Sequence, residues 1–333
     1  MNIKKNFSLS SYNSFRVDHN SSYFIKIKSK SQLIKFLKDE RYLNENKLIL
    51  GGGSNILFTK DFNGVILLNK IKGISKLKED ENHVFLRAGS GESWDQFVSF
   101  CVENKYYGIE NLSLIPGSVG AAPIQNIGAY GVEVKSFIEQ VKGVFIDNLK
   151  EEKFDNNSCE FEYRNSIFKK EFKNKFFITS VDFKLNKKEN FNLSYKDLKK
   201  LERNKLSVNI LRDKIIEIRN SKLPNPEEVG NAGSFFKNPF VEINTLNQIK
   251  LDYDDLVYFE GNGGFKVSAA WLIEKCGWKG YKQDNIGVSN KHALVVVNYG
   301  EKSGEKLKEL SEKIMEDVKK RFNIKLEAEV NII

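Results

Sequence analysis

The sequence predicts an α+β fold divided into two or three subdomains, and three observations carry that prediction. The chain has 333 residues, more than one simple core usually organises. Strand-like and helix-like patterns alternate along it in three blocks, the mark of mixed layers rather than of a bundle or a sandwich. Finally, all five prolines fall in two regions, Pro116/Pro123 and Pro224/Pro226/Pro239. Rigid loops are therefore concentrated, and both regions also carry glycines. This predicts two loops that meet at one site.

In chain order, Lys47–Leu50 reads as a strand, followed by Gly51-Gly52-Gly53-Ser54-Asn55 and a second apolar run, Ile56-Leu57-Phe58. Residues 64–69 and 83–88 read as further strands. Between Gly91 and Asn104, Trp94, Phe97, Val98 and Cys101 recur at helical spacing, which makes that face core. Strand patterns return at 141–146 and 176–183. Residues 210–219 look helical and end at a proline-rich linker, Ser221 to Pro226. Beyond it come a helical Ala269–Glu274, a strand over 293–298, and an amphipathic helix, Lys306–Phe322. The last carries Leu307, Leu310, Ile314 and Val318 on one stripe, as expected of a helix packed on a sheet. The chain closes with an alternating segment, Lys325 to Val330, expected to be a strand.

Composition removes several classes of function. Hydrophobic residues make up 40% and aromatic residues 12%, as in a globular protein. The first residues, Met1 to Asn6, have no apolar core of signal-peptide length. No run of about 18 apolar residues could span a bilayer. Cys101, Cys159 and Cys276 lie far apart, without metal-ligand spacing. A reduced, cytoplasmic protein is expected, with no membrane association and no bound metal. A net charge of +9 raises nucleic acid as a partner. The lysines are scattered and not interleaved with aromatics, so a solvated surface is the better reading.

Chemistry concentrates in a few stretches. Ser113 to Gly131 holds four glycines, two prolines and no charge until past its end, within a chain that is 29% charged. Such a loop exposes backbone N–H groups with little side-chain bulk, which suits diphosphates and flat rings. Gly51 to Asn55 suits a phosphate or a plain hairpin turn equally, and its glycine spacing is not that of a dinucleotide fingerprint. The three histidines form no metal or catalytic motif, and His292 stands just before an apolar strand. Ser234 lies in Ala232-Gly233-Ser234-Phe235-Phe236, where the glycine gives room and the aromatics exclude water, a setting open to a structural serine or to a proton donor. Arg164 offers a planar fork for a carboxylate, whether in a surface salt bridge or on a ligand. Glu329 sits between Ala328 and Val330, so it either pairs internally or marks a site.

Together these stretches resemble the UDP-N-acetylenolpyruvoylglucosamine reductase family. The matching pieces are Asn13-Ser14-Phe15-Arg16, Gly51 to Asn55, Ile115 to Gly120 with Gln125 to Gly131, and Tyr163-Arg164-Asn165-Ser166. Gly233-Ser234-Phe235-Phe236-Lys237-Asn238-Pro239, Ala270 to Glu274 and Leu326 to Val330 complete the set in the family's order. The resemblance implies a non-covalent FAD in a domain of the vanillyl-alcohol oxidase type, built from two subdomains, plus a C-terminal α+β substrate domain. The expected divisions are 1–70, joined by the terminal strand 325–333, then 71–222, and 223–324. It implies that NADPH reduces the flavin and that UDP-N-acetylglucosamine enolpyruvate is then reduced to UDP-N-acetylmuramate for peptidoglycan. Hydride would pass from flavin N5 to the β-carbon and a proton from Ser234 to the α-carbon.

By position, the resemblance assigns Ser234, Arg164 and Glu329 to catalysis. It assigns to the flavin Gly51, Gly52, Gly53, Ser54, Asn55, Pro116, Gly117, Ser118, Gly120, Ile124, Asn126, Gly128, Ala129 and Arg219. Tyr130, Tyr195, Lys222, Asn238 and His292 fall to the substrate. Leu193 to Leu198 fits the form of the family with an inserted loop, in which a tyrosine, here Tyr195, closes over the substrate diphosphate. The family's terminal motif reads Leu-Glu-Pro-Glu-Val-Arg, whereas this chain has Ala328 for the proline and Asn331 for the arginine. A monomer is expected. A flavin-dependent oxidase of another small substrate on the same fold is the rival enzyme reading.

Overall fold

The structure is a computed structural model that describes residues 2–261 and 264–333. Its chain divides into two compact units. The first comprises residues 2–7, 21–52 and 63–219, and the second residues 8–20, 53–62 and 220–333.

The first unit is built on two sheets. In the smaller, the strand order is Ile3–Ser8, Asn20–Ile27, Phe62–Asn69, Lys47–Leu50. Lys47–Leu50 runs parallel to its neighbour, with Lys47 opposite Val65 and Leu50 opposite Leu68. The helix Lys30–Leu37 covers this sheet. Ser29 caps its N-terminus by accepting from Gln32 N at 3.1 Å, and Leu33, Phe36 and Leu37 face inward.

The larger sheet is antiparallel, in the order Glu151–Asp155, Ile138–Phe145, Phe176–Asn186, His83–Gly89, Ile74–Glu79. Its period-two alternation separates two faces. Leu86, Ala88, Val141, Val181 and Phe183 point to a core completed by Trp94, Phe97, Val98 and Cys101 of the helix Trp94–Glu103. Phe97 and Phe183 pack with ring centroids 4.7 Å apart. Each such fully buried aromatic contributes about 1.5–3 kcal/mol. The helical spacing in the sequence therefore identified the core face correctly.

The second unit holds a four-stranded sheet, Gly230–Asn231, Val296–Asn298, Ile286–Val288, Lys282–Gln283, and a three-stranded one, Phe240–Val241, Gly264–Val267, Tyr258–Gly261. The long helix Gly304–Phe322 buries the expected stripe of Leu307, Leu310, Ile314 and Val318. It packs on the strands Ile286–Val288 and Val296–Asn298 and on the helix Ala269–Lys275. The short strand Asn331–Ile332 runs parallel to Ile56–Leu57.

Two expectations are corrected. Lys325 to Val330 is not a continuous strand. Only Ala328 bridges a neighbour, Phe236, and regular pairing begins at Asn331. Residues 293–295 belong to a turn, in which Val295 N donates to His292 O and Ser289 N to Val295 O. The strand starts at Val296.

Candidate functional site

In the first unit the two glycine stretches lie back to back. A Cβ added at Gly52 would stand 2.8 Å from Gly117 Cα, and one at Gly51 would stand 2.7 Å from Ser118 Oγ. Bare backbone is the only way to bring them this close. The 114–120 loop is pinned from behind. Trp94 N donates to Gly117 O at 3.1 Å, Val119 N to Glu92 O at 2.9 Å, and Gly120 N to Ser90 O at 2.8 Å. Gly117 adopts φ 123°, and Leu114, without glycine's freedom, is held at φ 56°. Asp95 stabilises that strained residue by accepting from Leu114 N at 2.5 Å.

The rest of the long loop is fixed by buried amides. Asn126, fully buried, donates to Glu133 Oε2 and Glu162 O and accepts from Lys135 N. Its side chain thus shapes the loop, while its own N–H donates to Pro123 O at 3.3 Å. Ile124 O accepts from Ser166 Oγ at 2.7 Å. Gly128 and Ala129 pair with Glu133 and Val132 in a two-residue ribbon. Arg164 Nη2 donates to Gly128 O at 2.7 Å, an approach that a side chain at 128 would crowd.

Tyr130 and Tyr195 meet edge to face, with centroids 5.0 Å apart at 79°. Asn111 ties their loops together by donating to Tyr130 O and Asn192 O, both at 2.9 Å. The Tyr130 hydroxyl lies beside the Arg219 guanidinium. Burial pushes the Tyr130 phenol up to about 12, and burial lowers the Arg219 guanidinium from its ordinary value. Arg219 Nε is buried and has no hydrogen-bond partner among the described residues. A buried cationic donor aimed at no protein group, together with two bare glycine backbones, fits an anionic, flat-ringed group such as a flavin dinucleotide.

The second unit holds the remaining candidates. Gly53, at φ 71°, could not accept a side chain, because its Cβ would fall 2.0 Å from Tyr12 O. Gly53 O accepts from Ser14 N. Asn13 fixes that turn, donating to Leu9 O and Val17 O and accepting from Val17 N. Ser54 and Asn55 are half-buried, and Asn55 Nδ2 donates to Glu329 O at 3.3 Å.

Ser234 lies between Gly233, at φ 67°, and the buried Phe235 and Phe236. Phe235 O accepts from Glu329 N at 2.7 Å, and Glu327 O accepts from Lys237 N at 2.9 Å. Ser234 and Glu329 are thereby on adjoining backbone segments. Asn238 Oδ1 accepts from Ala269 N at 2.9 Å and helps to start the helix there. His292 Nδ1 accepts from Leu294 N at 3.2 Å, so the neutral ring carries its proton on Nε2. Burial lowers its pKa, and Lys222 and Lys279 push it the same way. Lys222, at the end of the helix Val208–Lys222, is half-buried.

Sequence reasoning missed Asp95, Arg212 and Asn111. Arg212 forks onto both Asp95 oxygens at 2.9 and 3.0 Å, although 117 residues separate the two. Among the described residues, no group of His, Cys, Asp and Glu could hold a metal ion. No helix among them is long and apolar enough to cross a membrane.

Comparison with known proteins agrees with this geometry. Residues 21–147 match the family model described as an FAD binding domain. Residues 225–333 match that of the UDP-N-acetylenolpyruvoylglucosamine reductase C-terminal domain. The UDP-N-acetylenolpyruvoylglucosamine reductase of Amoebophilus asiaticus is 44% identical over the full length of both chains. That of Flavobacterium johnsoniae is 42% identical, again over all of both. That of Burkholderia ambifaria is 39% identical over 96% of this chain and 94% of its own. The crystal structure of the Thermus caldophilus reductase superposes with a TM-score of 0.70 at 18% identity, covering 100% of this chain and 99% of that one. That likeness shows the shared α+β fold. On full-length identity with named relatives, the chain belongs to the UDP-N-acetylenolpyruvoylglucosamine reductase family, the FAD-dependent oxidoreductases that its sequence motifs resemble.

Proposed function

We propose that this protein reduces UDP-N-acetylglucosamine enolpyruvate to UDP-N-acetylmuramate, with non-covalent FAD as cofactor and NADPH as reductant. The observation that carries the reading is the pairing of Phe235 with Glu329 at 2.7 Å, within the region that matches the reductase C-terminal domain. It joins the two motifs that the family's chemistry requires.

In this reading, residues 1–70 with 325–333, and residues 71–222, hold the flavin, and 223–324 the substrate. The bare backbones of Gly51, Gly52 and Gly117 and the free Nε of Arg219 receive the cofactor. Bound FAD supplies hydride chemistry. Ser234 donates a proton to the substrate α-carbon from a pocket that Phe235 and Phe236 keep dry. Arg164 lies against the substrate carboxylate, where negative charge grows in the transition state, so a preorganised cation lowers the barrier selectively. Glu329 is the third residue assigned to catalysis. Lys222 and Asn238, with the Nε2–H of His292, bind the nucleotide side, and Tyr195 closes over the diphosphate with Tyr130 supporting it. The protein acts as a cytoplasmic monomer.

The test is NADPH oxidation by the FAD-loaded protein, followed by near-ultraviolet absorbance. Addition of the enolpyruvyl substrate should stimulate it strongly. Ser234→Ala should abolish turnover and spare flavin reduction. Oxidation that requires only oxygen would overturn the reading in favour of an oxidase.

A further inference from the structure

The outward face of the larger sheet in the first unit carries a cleft of about 740 Å³. None of the residues assigned above to flavin or substrate lines it. Its size suits a small organic ligand and exceeds the needs of a single inorganic ion. Five cationic side chains border it, Lys30, Lys72, Arg87, Lys142 and Lys153, against two carboxylates, Glu151 and Glu152.

The cationic floor is built rather than incidental. Arg87 donates to both oxygens of Asp182 at 2.7 and 2.8 Å, and Lys142 Nζ lies 2.9 Å from the same carboxylate. One nearly buried acid thus orders two cations and leaves positive charge over. Burial works to raise the Asp182 pKa, but the hydrogen bonds from Arg87 and Lys142 outweigh it, so the acid stays ionised at neutral pH. The opposite wall is rigid backbone. Gly89 N donates to Gly73 O at 2.7 Å and Gly91 N to Ile71 O at 2.8 Å. Gly73 has no atom within 4 Å of where a Cβ would stand, which keeps the mouth open. Ile71 and Ile74, both half-buried, give this wall an apolar surface.

We propose that this cleft is a second ligand site, for a nucleoside diphosphate, separate from the groups that hold flavin and substrate. The diphosphate lies over Arg87, Lys142 and Lys153, drawn by the positive charge that the single carboxylate of Asp182 leaves uncompensated. The ring rests on Ile71 and Ile74.

The experiment is calorimetric titration of the FAD-loaded protein with ADP and with inorganic diphosphate. ADP is expected to bind and inorganic diphosphate to compete with it. The Lys142→Gln/Lys153→Gln double variant should weaken ADP binding at least tenfold while retaining its flavin. Should that variant fail to fold, Ser180→Glu tests the same point, since it places a negative charge in the cleft and leaves every cation in place. Absence of ADP binding at millimolar concentration, failure of diphosphate to compete, or equal affinity in both proteins would overturn the proposal. The readout is binding, so loss of the reductase reading leaves it standing, and its own failure leaves the reductase reading intact.

Discussion

Gly52 and Gly117 face each other with no side chain between them, so that a Cβ at Gly52 would stand 2.8 Å from Gly117 Cα. This single relationship explains why two glycine motifs so far apart in the chain occur together. Each supplies the open surface that the other requires.

Gly52→Ala should therefore lower both thermal midpoint and flavin content. The three atoms nearest the added methyl are all Gly117 backbone, and that backbone is tied to Trp94 N. Neither partner can yield cheaply, and overpacking of this kind costs about 1–3 kcal/mol. Purification of the variant with full flavin and an unchanged midpoint would refute the argument.

Tyr130 makes stability fall at high pH. Its phenol is pushed up to about 12 by burial, so the folded state holds the proton more tightly than the unfolded one. The contribution is complete below about 10 and is lost as pH rises towards 12. Two units of difference set a ceiling of roughly 3 kcal/mol, and the ring's residual solvent contact reduces it. From pH 9 to 12 the denaturation midpoint of the wild type should fall relative to that of Tyr130→Phe. Parallel curves would remove Tyr130 as the cause.

Some of this was legible in the sequence and some was not, for definite reasons. Glycine and proline act locally, so Gly51 to Asn55 and Ser113 to Gly131 declared themselves. The stripe of Trp94, Phe97, Val98 and Cys101 needed only helical spacing. The strands Ile3–Ser8 and Asn20–Ile27 were hidden because Lys4, Lys5 and Lys26 dilute their apolar pattern. The Asp95–Arg212 pair that supports Leu114 spans 117 residues, and no local rule reaches that far. Alternation in Lys325 to Val330 suggested a strand but carried no information on a partner, and only Ala328 bridges one.

His292 has the opposite sign to Tyr130. Burial holds its pKa below the ordinary 6.5, so the fold favours the neutral ring. Stability from this group is present above about 6.5 and is lost as pH falls through the lower folded value. Glutamine at this position can accept the Leu294 N–H without titrating. Between pH 7 and 5 the urea midpoint should fall more steeply for wild type than for His292→Gln. Identical slopes would exclude His292 as the source.

Ala328 stands where the family has proline, and the pairing explains why either residue serves. Lys237 N donates to Glu327 O and Glu329 N to Phe235 O, so the ladder's bonds flank the Phe236–Ala328 bridge and leave the Ala328 N–H out of it. A proline there forfeits no ladder bond and restricts the unfolded chain. Ala328→Pro should raise stability by about 0.4–1 kcal/mol, seen as a higher denaturant midpoint with unchanged m. A lower midpoint would mean that the Ala328 N–H or its backbone angle matters in a way this pairing does not require.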